Sequence, residues 1–245
     1  MVRQTKDMPD DYKWMPGSSR YVLEDMGELA VRLGSPSRFD RRGEIIWMDD
    51  FKSGTAGWWT YGSGTGYEVY VDNQITLQSP FCVVLTAGSD ASQYAEIRKF
   101  FSAEVVGRAG IEFAVAFDTE FDFLYIELWE GDGNTHVKGK LAIYDTGGVI
   151  NVYDADDVSH EIGSGFSYGE PTQQYHLIKL VVDFYTGMYV RLVIDQNSYD
   201  LSDISLFTED AADNPSHRVY LYLFGREGEN DACRVGHAIL TGNEF

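Results

Sequence analysis

Cysteine is scarce in this chain of 245 residues, which holds only Cys82 and Cys233. Two thiols cannot build a four-ligand zinc site. Each sits in strand-like sequence, where a cysteine serves as a small buried hydrophobe. A bridge between them stays open if the strands that carry them are neighbours. Basic residues are few as well: 19 Lys and Arg stand against 39 Asp and Glu, a formal charge of −20. Such a surface repels a phosphate backbone instead of releasing its counterions, which excludes nucleic acid as a partner. It reads as a solvated, solubilising surface, with cation binding or a basic partner as the alternative.

Long apolar runs are missing too. Nothing approaches the roughly 18 residues of a membrane span, and the first residues lack the apolar core of a signal peptide. The expectation is a protein without membrane contact, cytoplasmic, or a virion component if the chain is viral. Catalytic spacings are also lacking. The five histidines (His136, His160, His176, His217, His237) never stand at i, i+4. Gly62-Ser63-Gly64 and Gly163-Ser164-Gly165 are turns, not nucleophile elbows before a helix.

What is abundant favours strands: 14% aromatic residues, many of them Tyr and Phe, and 25 glycines. The strongest pattern is at 175–196. There Ile178, Leu180, Val182 and Phe184, and then Val190, Leu192 and Ile194, alternate with more polar residues around Tyr185-Thr186-Gly187. Period two around a glycine turn predicts an antiparallel hairpin closed by a bulge. Pairs Val182/Val190, Leu180/Leu192 and Ile178/Ile194 are expected on its buried face. Lys179 is expected diagonal to Asp195, and Asp183 to Arg191, on a charged outer wall.

The chain divides at residue 42. Residues 1–42 begin as a charged arm with Pro9 and Pro16, followed by the one short helix. Ser18 and Ser19 can cap it, and Val22, Met26, Leu29, Ala30 and Leu33 form its apolar stripe. A helix of about 14 residues is marginal alone, so its stripe must pack on the same chain or on a neighbouring subunit. Residues 43–245 read as about a dozen strands at spacings of roughly 8 to 12 residues, an all-β sandwich. In 121–130, Phe123, Tyr125, Glu127 and Trp129 share one side and Leu124, Ile126 and Leu128 the other. In 218–224, Val219, Leu221 and Leu223 oppose Tyr220, Tyr222 and Phe224.

The hairpin with Tyr199-Asp200-Leu201-Ser202, the opening Asp49-Asp50-Phe51 and Trp58-Trp59, and the closing strand 235–240 resemble the concanavalin A-like and laminin-G-like jelly rolls. The resemblance covers 44–245 and implies an antiparallel jelly-roll β-sandwich. Residues 28–51 also resemble uncharacterised phage-type structural proteins. Glycosidases of the jelly-roll kind carry Glu-x-Asp-x-Glu on one strand, a triplet this chain lacks; Glu127 and Glu130, three apart, fall on opposite faces. Glu96 and Glu112 read as solvent-facing partners of Arg98 or Lys99.

Two kinds of ligand site are motivated. Calcium wants several oxygens from a short loop, which Asp154, Asp156 and Asp157, or Asp132 with Asn134, can supply; these are equally ordinary turn residues. Trp58, Trp59 and Tyr61 in a glycine-rich loop can stack on a sugar ring, or can plug the core. The leading expectation is a non-enzymatic structural subunit without an obligatory cofactor, a homo-oligomer or part of a capsid lattice, assembled through Val22, Met26, Leu29 and Leu33. The alternative is a carbohydrate-binding, lectin-like module with a glycan partner.

Overall fold

The computed structural model describes residues 42–77, 79–90, 92–101, 107–167, 174–212 and 214–244. The helix expected at Val22, Met26, Leu29 and Leu33 lies outside the described residues. Sixteen strands appear among the described ones: β1 (Glu44–Asp49), β2 (Trp59–Gly62), β3 (Glu68–Asp72), β4 (Cys82–Thr86), β5 (Tyr94–Phe101), β6 (Arg108–Phe117), β7 (Phe123–Gly131) and β8 (Thr135–Tyr144), then β9 (Ile150–Tyr153), β10 (Ser159–Gly163), β11 (His176–Asp183), β12 (Met188–Ile194), β13 (Asn197–Asp200), β14 (Phe207–Asp210), β15 (Ser216–Phe224) and β16 (Ala232–Gly242). They form two antiparallel sheets of eight. Sheet A runs β13-β12-β11-β6-β16-β4-β3, with β1 also on β16; sheet B runs β10-β9-β8-β7-β15-β5-β2, with β14 also on β8. Among the described residues no helix is long and apolar enough to cross a membrane.

Alternation decides what is buried between the sheets. Sheet A turns Ile111, Phe113 and Val115 of β6 and Ile178, Leu180 and Val182 of β11 inward; sheet B answers with Leu124, Ile126 and Leu128 of β7 and Val219, Leu221 and Leu223 of β15. Each is at most 1% exposed. At about 25 cal/mol per Å² of apolar surface, this continuous layer is the main stabilising term.

The β11–β12 hairpin forms as the sequence predicts over most of its length. Ile178 faces Ile194 and Leu180 faces Leu192. Nearer the turn a bulge between Val181 and Val182 sets Val182 against Tyr189 and Asp183 against Met188, not Val182 against Val190. The cause is Tyr189, whose hydroxyl crosses the core to donate to the Tyr153 carbonyl at 2.8 Å and accept from the Lys140 amide at 2.7 Å. Gly139 leaves room for Val182 beside it; a Cβ there would lie 2.6 Å from Val182 Cγ1. Gly187 holds φ at 68°, the left-handed turn residue the sequence requires.

The charged outer wall of the hairpin is wired differently from the expected diagonals. Lys179 Nζ lies 2.7 Å from Glu244 Oε1, and Arg191 pairs with the other oxygen of that carboxylate. Asp183 pairs with Arg108 at 3.1 Å and Asp195 with His176 at 2.7 Å. Glu112 does not face solvent; it is 4% exposed, 3.6 Å from His237. The cysteines are both buried and free. Although β4 and β16 are neighbours, Cys233 stands opposite Leu85, three positions along from Cys82, and alternation turns the two thiols to opposite faces.

Candidate functional site

The outer face of sheet B is paved by four rows of side chains that follow its hydrogen-bonded register. Tyr94, Phe224, Phe123 and Tyr144 form the first, across β5, β15, β7 and β8. The second is Tyr61, Glu96, Tyr222, Tyr125 and Ala142, and the third Trp59, Arg98, Tyr220, Glu127 and Lys140. Phe100, Arg218, Trp129 and Lys138 make the fourth, extended by Phe207 of β14. Neighbours in a row sit one strand spacing apart, about 4.8 Å, close enough for ring contacts. Phe123 stacks on Phe224 with centroids 4.1 Å apart, and Tyr220 on Tyr222 at 5.6 Å.

Three of the cations that bound the rows of rings already face a carboxylate. Arg98 bridges Trp59 and Tyr61, 5.8 Å from each ring, and pairs with Glu96 at 3.4 Å. Lys138 lies 3.6 Å above the Trp129 ring and 2.5 Å from Glu209. Lys140 lies 3.9 Å from the Phe207 ring and 2.5 Å from Asp157. The second row narrows at Ala142, and beside it opens a cavity of about 340 Å³ between Tyr125, Glu127, Lys140, Tyr153, Asp157 and Tyr222.

Two buried carboxylates stand on this face. Glu127, 7% exposed, accepts a hydrogen bond from Trp129 Nε1 at 2.7 Å. Burial pushes its carboxyl up to about 7, against the opposing pull of Lys138, the indole and Lys140. Glu96, 2% exposed, is likewise raised by burial, against Arg98. It therefore does not face solvent, although it keeps Arg98 as its partner. Glu96 Oε1, 3.4 Å from Arg98 Nε, and, on β9, Asn151 Oδ1 are buried acceptors without a hydrogen bond among the described residues. Unmet acceptors are costly.

The structure separates the aromatic residues that the sequence groups together. Trp58 is core: 7% exposed, packed on Phe51 and Trp47, with its indole nitrogen 3.0 Å from Asp49 Oδ2. Trp59 and Tyr61, 63% and 49% exposed, end the rows on β2. Asp154, Asp156 and Asp157 share the turn between β9 and β10, where the carboxylates of Asp154 and Asp157 are otherwise engaged. Asp154 accepts from the Asp156 and Val158 amides and from His160, and Asp157 holds Lys140. Asp132 in the same way accepts from the Asn134 and Thr135 amides. Among the described residues no group of three or more His, Cys, Asp or Glu is placed to hold a metal. Glu130 points away from Glu127, toward His217 at 3.4 Å.

The centre of the face, Tyr125, Glu127, Tyr220 and Tyr222, was not assigned as a site from sequence. Its signal was the aromatic–polar alternation in 123–129 and 220–224, which defines a face without saying what crosses it.

The fold is the concanavalin A-like antiparallel jelly-roll sandwich. Solved structures that share it include an endo-β-1,4-glucuronan lyase from the fungus Trichoderma reesei, at a TM-score of 0.56 and 8% identity over 82% of this chain and 96% of that one. Cellulose induced protein Cip1 aligns at 0.53 and 11% identity, over 81% and 98%. The carbohydrate recognition domain of Emp47p aligns at 0.50 and 9%, over 83% and 98%. No protein-family model and no curated protein sequence matches the chain. The lyase corrects the expectation of a non-enzymatic protein, since the same sandwich carries an enzyme.

Proposed function

We propose that this protein is a carbohydrate-binding module that takes a neutral glycan on the outer face of sheet B. The carrying observation is that in-register aromatic rows and buried carboxylates occupy one face. A sugar matches both: its apolar ring face stacks on aromatic side chains and its hydroxyls donate to oxygens. The glycan is neutral because Arg98, Lys138 and Lys140 each already face a carboxylate, and a net charge of −20 opposes an anionic polymer. The neighbours named above, a recognition domain and a polysaccharide lyase among them, support this reading over an assembly or virion subunit.

A glycan array of neutral and acidic polysaccharides, repeated with Trp59→Ala and Tyr222→Ala, tests it. Signal on neutral glycans that both variants weaken while keeping their circular dichroism is expected. An array blank throughout overturns the proposal. A second reading, glycan cleavage at the same face, is favoured by Glu127, a carboxyl that shares its proton near neutrality within the cavity. Release of reducing ends or of unsaturated products by the protein, abolished in Glu127→Gln, would establish it.

A further inference from the structure

We propose that Glu127 is the proton-linked contact of this face: its protonated carboxyl donates to a sugar hydroxyl, ionisation removes that donor, and glycan affinity therefore falls as pH rises. The inference rests on the glycan-binding reading above and adds its regulation.

Geometry carries it. Glu127 sits at the middle of the third row and lines the cavity, and its one hydrogen bond among the described residues comes from the Trp129 indole. Both nearby lysines are engaged elsewhere, Lys138 with Glu209 and Lys140 with Asp157, so among the described residues this buried carboxylate has no ion-pair partner of its own. An ionised carboxylate so placed is disfavoured and holds its proton unusually long. Burial accordingly raises it to about 7.

The groups facing Glu127 come from every neighbouring element. From β8 come Lys138 and Lys140, from β14 Glu209, and from the turn after β9 Asp157. Tyr125, Tyr220, Tyr222 and Tyr189 are all raised by burial and stay protonated throughout. On the far side of Tyr220, Arg98 and Glu96 face each other. His136 is the imidazole beside this cluster; its ring packs 5.0 Å from Trp129 and bonds Glu209 at 3.2 Å. A His136→Gln control therefore belongs in the test.

The arrangement also says why one oxygen would be the donor. Trp129 Nε1 donates to Oε2, which must then be an acceptor, so the proton of the neutral acid resides on Oε1. Ionisation turns that position from donor to acceptor. A glutamine side chain reproduces the neutral state, with its carbonyl toward the indole and its amide toward the ligand, at every pH.

The test is calorimetric titration with hydroxyethyl cellulose, a soluble neutral glucan, from about pH 5.5 to about pH 8.5, on wild type, Glu127→Gln and His136→Gln. The carboxyl carbon shift of Glu127 is followed in parallel by NMR in the free protein. Wild type and His136→Gln are expected to lose affinity toward about tenfold per pH unit above neutrality, as the competent fraction falls. Glu127→Gln is expected to bind at all pH values with no slope, and the Glu127 carboxyl to titrate near neutrality. A flat wild-type profile, a slope that survives in Glu127→Gln, or an NMR midpoint below about 5, near the ordinary carboxyl range, overturns the proposal. No binding at any pH, with the NMR midpoint near neutrality, instead removes the neutral-glucan reading beneath it, and the proposal with it.

Discussion

Lys179 Nζ lies 2.7 Å from Glu244 Oε1, with the two side chains 2% and 0% exposed. Thr241 donates to the same oxygen at 2.6 Å, and Arg191 takes the other. One carboxylate beyond the end of β16 thereby ties together β11, β12 and β16. Deleting it takes the shared carboxylate away from two buried cations, and breaking a buried pair costs about 3–5 kcal/mol. Glu244→Ala is expected to lower the denaturant midpoint accordingly with an unchanged slope; an unchanged midpoint would show that the pair contributes nothing.

The adjacent tryptophans are expected to behave oppositely. Trp58→Ala empties a core position packed on Phe51 and Phe113 and should destabilise by about 3–5 kcal/mol. Trp59, 63% exposed, should leave stability within about 0.5 kcal/mol when changed to Ala and weaken glycan binding by about 1 kcal/mol, roughly fivefold. Thermal melts and a binding isotherm on both variants decide it.

Glu127 also links stability to pH. Its carboxyl rises from 4.5 to about 7 on folding, so between those values the folded chain holds a proton that the unfolded chain releases. Stability from this group is complete below about pH 4.5, falls as pH rises through 7, and is then lower by about 3 kcal/mol. Glu127→Gln should therefore stabilise the protein at about pH 8 and change it little at about pH 4.5. Melting curves at both values check the sign.

Cys82 and Cys233 are separate thiols on opposite faces of sheet A. Unfolding without reductant should expose two titratable thiols in Ellman's assay, and the folded protein should react slowly, since Cys233 is fully buried with its thiol pushed upward by burial. An absence of thiol signal after unfolding would mean that the two are bridged.

The strand pattern was legible because burial between sheets imposes period two. Leu124, Ile126 and Leu128 and Val219, Leu221 and Leu223 declare their faces in the sequence, and the structure uses those faces. The bulge at Val182 was not legible, because it serves Tyr189 reaching Lys140 and Tyr153 on the other sheet. The candidate site was hidden for a similar reason. Its rows depend on β15 inserting between β5 and β7, which sets Tyr222 between Glu96 and Tyr125 from stretches about a hundred residues apart. Trp58 and Trp59 differ only by one step of alternation, and the sequence alone did not say which step faced the core. The histidines, unremarkable by spacing, each meet a carboxylate within 3.6 Å, most often one from another strand.

The central claim is that the outer face of sheet B binds glycan, and Tyr222 stands at its middle, next to Glu96 and Tyr125. The most direct measurement is a titration of wild type and Tyr222→Ala with hydroxyethyl cellulose at about pH 6, after both are shown to melt cooperatively. Saturable binding by wild type that falls about tenfold in Tyr222→Ala is the predicted result. Equal affinity in the two proteins, or no binding by either, would contradict the account.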